Sequence, residues 1–249
     1  MKFIGIIPAR YASTRFPGKP LTKIGGIMMI ERVYKQAQKA LDTVVVATDD
    51  ERIVEAVRSF SGNVVMTSPN HRSGTDRCWE AYQKFGVEAD VVINIQGDEP
   101  FIQPEQIEAI KSCFPTDIAT LVKPYTETDT LEDLLNPNTP KVVFSKESGK
   151  ALYFSRSVIP YLRGIDKKEW LHKHQYYKHI GMYAYRTDIL KRITQLEQSP
   201  LEKAESLEQL RWLENGFNIK VAVTNTQSIG IDTPDDLKRA EEFIKSQEK

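Results

Sequence analysis

Cysteine is scarce in this chain of 249 residues: there are two, Cys78 and Cys113. They form neither a zinc-ligand spacing nor a disulfide framework, and a chain so poor in thiols is expected in a reducing cytoplasm. Histidine is scarce too. Of the four, His172, His174 and His179 cluster. His172 and His174 are two apart and share no helix face, and no carboxylate stands at a zinc-like spacing, so a zinc site is not expected. Net charge is missing: 34 basic residues balance 34 acidic ones. That removes bulk attraction to nucleic acid or an anionic membrane surface. No apolar run reaches the roughly 20 residues that span a bilayer. The N-terminal apolar run has no small-residue cleavage site after it, so it is not expected to be a signal peptide. Three motifs are also absent. Without G-x-x-x-x-G-K-[ST] there is no Walker-type phosphate loop, and without G-x-G-x-x-G after the first strand there is no dinucleotide fingerprint. Without a serine elbow there is no hydrolase nucleophile of that kind. Small molecules, or further copies of the chain, remain as partners.

The first half alternates strand-like and helix-like runs. Phe3-Ile4-Gly5-Ile6-Ile7 reads as a buried strand, as do Val44 to Thr48, Val64 to Met66 and Val91 to Ile95. Asp49-Asp50 caps a helix with Ile53, Val54 and Val57 at helical spacing. A second helix is expected over about Thr75 to Lys84, and a third from Pro104. Strands spaced by such helices indicate a parallel sheet covered on both faces. The second half changes character. Val142 to Ser145 and Ala151 to Ser155 flank a glycine-containing turn and read as a hairpin. Ile180 to Tyr185 reads as a strand. Pro200 to Asn215 reads as one amphipathic helix, with Leu201, Ala204, Leu207, Leu210 and Leu213 on its apolar side. Thr233-Pro234 opens a last helix, with Thr233 as cap. The expected organisation is one α/β domain spanning 1–249, with a hairpin lobe at roughly 140–185.

Candidate chemistry gathers where strands end. The first strand breaks at Pro8 and runs into Arg10, Ser13, Thr14, Arg15, Gly18 and Lys19. Cations packed this closely repel each other unless an anion sits among them, and a triphosphate meets that demand. Gln96-Gly97-Asp98 follows the fourth strand, where a carboxylate is well placed to hold Mg²⁺ against phosphate oxygens. Asp232 fits two roles, ligand of the same metal or part of the Asp-Thr-Pro-Asp-Asp cap. Arg72-Ser73-Gly74 precedes a helix and can close on a base or ribose, and Thr48-Asp49 can face a nucleotide in the same way. His179 begins an apolar strand, and Tyr183 lies an even number of residues on, so the two share a sheet face. Arg156 is a planar two-pronged donor suited to a substrate carboxylate. Glu208 and Gln209 can bind hydroxyls.

Several stretches together resemble the 3-deoxy-manno-octulosonate (Kdo) cytidylyltransferase family. They are Ile7-Pro8-Ala9-Arg10-Tyr11-Ala12-Ser13-Thr14-Arg15-Phe16-Pro17-Gly18-Lys19-Pro20-Leu21, Val46-Ala47-Thr48-Asp49, His71-Arg72-Ser73-Gly74-Thr75, Asn94 to Pro100, Ala151-Leu152-Tyr153-Phe154-Ser155-Arg156, Leu207-Glu208-Gln209-Leu210-Arg211 and Ile231 to Leu237. The opening motif is common to other nucleotidyltransferases; its combination with the tyrosine-rich hairpin and the Leu-Glu-Gln-Leu-Arg helix is more specific. The resemblance implies a nucleotide-diphospho-sugar transferase-like (Rossmann-like) α/β sandwich with a mixed, mainly parallel sheet. It implies a homodimer formed through the hairpin lobe. The implied reaction is Mg²⁺-dependent transfer of CMP from CTP to the anomeric hydroxyl of Kdo, releasing pyrophosphate, for lipopolysaccharide assembly. In that family pattern Arg10, Ser13, Arg15 and Lys19 hold the triphosphate, with Lys19 and Arg15 catalytic. Thr48, Arg72, Ser73 and Gly74 border the rest of CTP. Asp98 and Asp232 are the catalytic metal ligands. Gln96, Arg156, His179, Tyr183, Glu208 and Gln209 surround the sugar acid. Two departures from the pattern stand out: Gly25-Gly26-Ile27-Met28-Met29 replaces a more common Asn-Gly-Lys-Pro-Met turn, and Arg72 replaces a frequent Gln.

Overall fold

The structure is a computed structural model that describes residues 1–12, 16–226, 230–231 and 233–247. The chain divides into two compact units, one of residues 1–108 with 227–249 and one of residues 109–226.

The first unit begins with β1 (Phe3–Ala9), a small hairpin of β2 (Lys23–Ile24) and β3 (Ile27–Met28), and α1 (Met29–Ala37). It continues through β4 (Val44–Thr48), α2 (Glu51–Ser59), β5 (Asn63–Met66), α3 (Gly74–Phe85) and β6 (Val91–Asn94). Helix α4 (Pro104–Lys111) carries the boundary to the second unit. Strands β6, β1, β4 and β5 pair in that order, all parallel. Every residue of β4 and of β6 is buried, which explains their unbroken Val/Ile runs: helices cover both faces of a parallel sheet. The β2–β3 turn is Gly25-Gly26, with φ of 55° and 78°, a pair of left-handed positions that glycine adopts without strain. The departure from the family's usual turn therefore suits a two-residue hairpin.

The second unit contains β7 (Ile118–Pro124), α5 (Leu131–Leu135), β8 (Lys141–Phe144), β9 (Ala151–Ser155), α6 (Trp170–Lys173) and β10 (Tyr177–Arg186). It ends with α7 (Thr187–Ile193), α8 (Pro200–Glu205), α9 (Glu208–Glu214) and β11 (Ile219–Val223). Its strands pair in the order β11, β7, β10, β8, β9, with only β11–β7 parallel. The expected hairpin is β8–β9. The final helix, α10 (Pro234–Gln247), belongs to the first unit; Thr233 caps it, its hydroxyl accepting from Asp236 N–H at 3.2 Å. Together with Ile24, Met29, Phe101 and Ile231, α10 closes a small apolar core through Ala240.

Three sequence expectations need correction. The single helix over Pro200 to Asn215 is two helices, broken at Ser206, whose φ is 51°. Leu201 and Ala204 are exposed and so lie off the apolar face. The strand expected from Ile180 begins at Tyr177. Strand β7 was not anticipated: Ile118 to Val122 is a short, largely apolar run without alternation, although Pro115 and Asp117 flank it.

Gly97 shows how tightly the strand ends meet. A Cβ there would lie 2.9 Å from the Pro8 carbonyl oxygen, whereas one at Gly74 would meet nothing closer than 3.6 Å. Gly97→Ala is expected to cost about 1–3 kcal/mol, since backbone must shift. Gly74→Ala, at the start of α3, is expected to be neutral or to add up to about 1 kcal/mol. Urea denaturation of both variants checks the difference in sign.

Candidate active site

Parallel pairing places the carboxyl ends of β1, β4, β5 and β6 at one edge of the first unit's sheet. That edge collects the cations and carboxylates of the sequence. Arg10, just after β1, donates to the His71 carbonyl, and its Nε lies 3.9 Å from Asp49 Oδ2. Asp49, just after β4, also accepts from Arg77 Nη2 at 2.7 Å. Arg77 is wholly buried on α3 and its other arm donates to Thr67 Oγ1 at 2.6 Å. Asp49 therefore holds a fixed buried cation and faces a more exposed one. Tyr11 accepts the Gly18 N–H through its carbonyl, and the Arg52 guanidinium sits over its ring at 3.3 Å. This closes the base of the loop that starts at Arg10.

Lys19 Nζ is 2.8 Å from Asp98 Oδ2. Asp98 keeps 34% of its side chain accessible, and its main-chain oxygen accepts from Ile231 N–H at 3.0 Å. Beside it, Glu99 Oε2 is buried with no partner among the described residues. Burial, with the neighbouring Asp98 charge adding to it, pushes the Glu99 carboxyl up to about 7. Asp98 offers hard oxygen donors, already attracts a cation, and remains open to solvent. It fits a divalent cation such as Mg²⁺ bound jointly with phosphate oxygens.

Ser73 caps α3, its hydroxyl accepting from Asp76 N–H at 3.1 Å, with Arg72 exposed before it and Gly74 exposed after it. Across from Gly74 lies Asn94, the last residue of β6, whose Oδ1 is buried without a partner among the described residues. Thr48 is fully buried; its hydroxyl accepts from Asp50 N–H at 3.3 Å. Gln96 begins the turn that ends at Glu99, its carbonyl accepting the Glu99 N–H at 3.3 Å. Ser13, Arg15 and Asp232 lie outside the described residues.

The second unit holds the other five candidates. Strand β10 carries an irregularity against β7: from Ile180 to Tyr183 it advances three residues while β7 advances one, from Leu121 to Thr120. Thr120 stitches the gap, its hydroxyl donating to the Met182 carbonyl at 2.9 Å and lying 3.1 Å from His179 Nε2. The His179 and Tyr183 rings still meet, with centroids 5.3 Å apart, as the even spacing predicts. Tyr183 packs edge-on against Trp212 of α9 at 5.1 Å. Thr120 Oγ1 also lies beside Tyr183, whose buried Oη has no other hydrogen-bond partner among the described residues. Gln209 Nε2, on α9, is likewise buried without a partner among the described residues. Glu208 accepts from Arg211 Nη2 at 2.7 Å. Arg156 donates to three carbonyls: Glu205 at 2.6 Å, Pro137 at 2.9 Å and Ser206 at 3.2 Å. Buried donors left without acceptors cost about 1–3 kcal/mol each, so such groups are expected to meet a ligand's oxygens.

Loss of solvent pushes His179 down to about 3 and Tyr183 well above its ordinary range. Both are neutral near pH 7 and can exchange hydrogen bonds with hydroxyls. Sequence reasoning did not single out Arg77, Glu99, Tyr11, Arg52 or Glu205 for the site. Their roles depend on contacts across elements, for which the chain gives no local signal.

The strand-end loops and the Lys19–Asp98 pair set cations and a carboxylate at the sheet edge of an α/β fold, the chemistry that a nucleotidyltransferase requires. Residues 4–222 match the cytidylyltransferase family, and the chain belongs to that family. It is 64% identical to a 3-deoxy-manno-octulosonate cytidylyltransferase of Parabacteroides distasonis, covering 98% of each chain. It is also 64% identical to the enzyme of that name from Phocaeicola vulgatus, over 100% of this chain and 99% of the other. A solved CMP:2-keto-3-deoxy-manno-octonic acid synthetase complexed with CTP superposes with a TM-score of 0.90 at 41% identity, covering 99% of this chain and all of that one. The fold is that of the nucleotide-sugar transferase-like α/β enzymes.

His179 gives a pH signature. Its imidazole stays neutral in the fold down to about pH 3, while in the unfolded chain it takes a proton near 6.5. The unfolded state therefore binds more protons in that window, and stability falls as pH drops from about 6.5 towards 3. Between pH 7.5 and pH 5 this one group is expected to remove up to about 2 kcal/mol. Urea denaturation at both pH values, for the native chain and His179→Gln, measures it: the variant should lose less on acidification.

Proposed function

We propose that this chain transfers CMP from CTP to the anomeric hydroxyl of Kdo, forming CMP-Kdo and pyrophosphate and thereby supplying an activated sugar for lipopolysaccharide assembly. The observation that carries the reading is likeness, over essentially the whole chain, to two enzymes named for that reaction. The site chemistry supports it. Cations and a metal-competent carboxylate at the first unit's sheet edge suit a triphosphate. Neutral buried donors beside aromatic walls in the second suit a polyhydroxy acid.

On this reading Arg10, Ser13, Arg15 and Lys19 bind the triphosphate, and Thr48, Arg72, Ser73 and Gly74 border the nucleoside. Asp98 and Asp232 would hold Mg²⁺. When bound, the metal supplies Lewis-acid polarisation of the phosphate oxygens. Gln96, His179, Tyr183, Glu208 and Gln209 orient the sugar's hydroxyls, and Arg156 faces its carboxylate. The hydroxyl oxygen attacks the α-phosphorus in line; its bond forms as the bond to the bridging oxygen breaks, and pyrophosphate leaves with that electron pair. Lys19 and Arg15 stabilise the charge that develops on the leaving group. The hydroxyl proton passes to solvent or to pyrophosphate. No covalent intermediate with the protein is required, because positioning and charge neutralisation supply the rate.

We place the enzyme in the cytoplasm, as a homodimer. Among the described residues no helix is long and apolar enough to cross a membrane.

Pyrophosphate release from CTP, with and without Kdo, is the test. UTP, ATP and GTP serve as nucleotide controls and a sialic acid as the acceptor control. Release that requires both CTP and Kdo is expected. Release with another sugar acid and not with Kdo would overturn the substrate. Asp98→Asn is expected to lower kcat by about 100-fold or more with its unfolding curve intact, and EDTA should stop turnover until Mg²⁺ is restored. Near-native turnover by Asp98→Asn would sink the assignment of that carboxylate.

A further inference from the structure

The break between α8 and α9 is tied to the end of β9 through one carboxylate. Glu205, the last residue of α8, accepts from Ser155 Oγ at 2.6 Å through Oε1 and from Arg156 N–H at 2.9 Å through Oε2. Its carbonyl accepts from Arg156 Nε at 2.6 Å, and the Ser206 carbonyl accepts from Arg156 Nη2 at 3.2 Å. Ser155 is buried and its hydroxyl works in both senses, since its oxygen also accepts from Ser157 N–H at 3.0 Å. Four bonds thus join the end of β9 to two consecutive residues of the break. They take up helix-terminal carbonyls that would otherwise want water. Ser206 meanwhile sits in the left-handed region at φ 51°, where a side chain is strained unless its surroundings hold it. One residue further on come Glu208 and Gln209, the latter with its Nε2 buried and without a partner among the described residues.

We infer that Glu205 is a positioning residue for the sugar-acid site. Its carboxylate straps the helix break to β9, and so sets the direction in which Glu208, Gln209 and Arg156 are presented. This rests on the proposed function for the identity of the ligand, but the strap itself does not.

A glutamine at 205 can remake both side-chain bonds. Its oxygen accepts from Arg156 N–H, and its amide donates to Ser155 Oγ, reversing the serine's role. Alanine makes neither. Steady-state pyrophosphate release is measured with Kdo varied at saturating CTP and with CTP varied at saturating Kdo. Glu205→Ala is expected to raise KM for Kdo about tenfold to a hundredfold, since small misplacements of binding groups have effects of that size. KM for CTP should stay within about twofold, and Glu205→Gln should recover most of the loss. If Glu205→Ala does not fold, Ser155→Ala removes one bond and is expected to move KM for Kdo in the same direction. An unchanged KM for Kdo, or equal changes for both substrates, overturns the inference. Hydrogen exchange across residues 206–211 reads the strap without substrate: faster exchange there in Glu205→Ala supports it, and unchanged exchange overturns it. Silence of the native enzyme with Kdo would refute the substrate instead, and the exchange result would still decide the strap.

Discussion

Because β1 runs parallel to β4 on one side and β6 on the other, the chain leaves all three strands at the same edge. Everything chemically distinctive in the first unit follows from that constraint. Arg10 leaves β1, Asp49 leaves β4, and the Gln96-Gly97-Asp98 turn leaves β6, so residues far apart in sequence become neighbours. Antiparallel pairing would have sent alternate loops to the opposite edge. Gly97 fits because its backbone passes so near the Pro8 carbonyl that no side chain could stand between them. The Ile231 N–H bond to the Asp98 carbonyl draws Ile231 to the same edge.

Charge is arranged by the same economy. The chain is neutral as a whole, yet its sheet edge sets cations against carboxylates. Buried Arg77 on Asp49 is a fixed structural pair, while Lys19 on Asp98 is more open. A pair that keeps solvent access loses little when an anion or a metal replaces one partner; a fully buried pair would lose a great deal. The more open Lys19–Asp98 pair is therefore the easier of the two for a ligand to rearrange. The second unit follows the opposite rule. His179, Tyr183 and Gln209 are uncharged, and Gln209 Nε2 is a buried donor without an acceptor among the described residues. Such groups discriminate by the penalty of leaving them unmade, which is how a site tells one hydroxyl pattern from another.

The sequence made much of this legible, for identifiable reasons. Parallel strands buried on both faces appear as Val/Ile runs, so β1, β4 and β6 could be read directly. Function at their ends could be read because Arg10, Lys19 and Asp98 follow those runs at once. The even spacing of His179 and Tyr183 survived a local irregularity, since the two extra residues of β10 leave the side-chain alternation intact. What was not legible is what tertiary contacts impose. The stripe from Leu201 to Leu213 has a helical period and reads as one helix. The break at Ser206 comes from Ser155 and Arg156, about fifty residues away, which compete for the carbonyls and carboxylate of α8. Arg77 looks like an ordinary helix arginine until β4 and Thr67 close around it.

The two units thus differ in the physics of their polar groups. A triphosphate must be held where charge can move as the leaving group departs, which calls for accessible, exchangeable ion pairs. A sugar acid must be held in one orientation, which calls for neutral, desolvated hydrogen-bonding groups on rigid supports. On the proposed function, placing Glu208 and Gln209 at the start of a short helix, rather than midway along a long one, serves the second need. A helix start has its direction set by whatever grips the preceding turn, here strand β9 through Ser155 and Arg156. The interruption that periodicity could not anticipate is therefore the feature that gives those two side chains a fixed bearing.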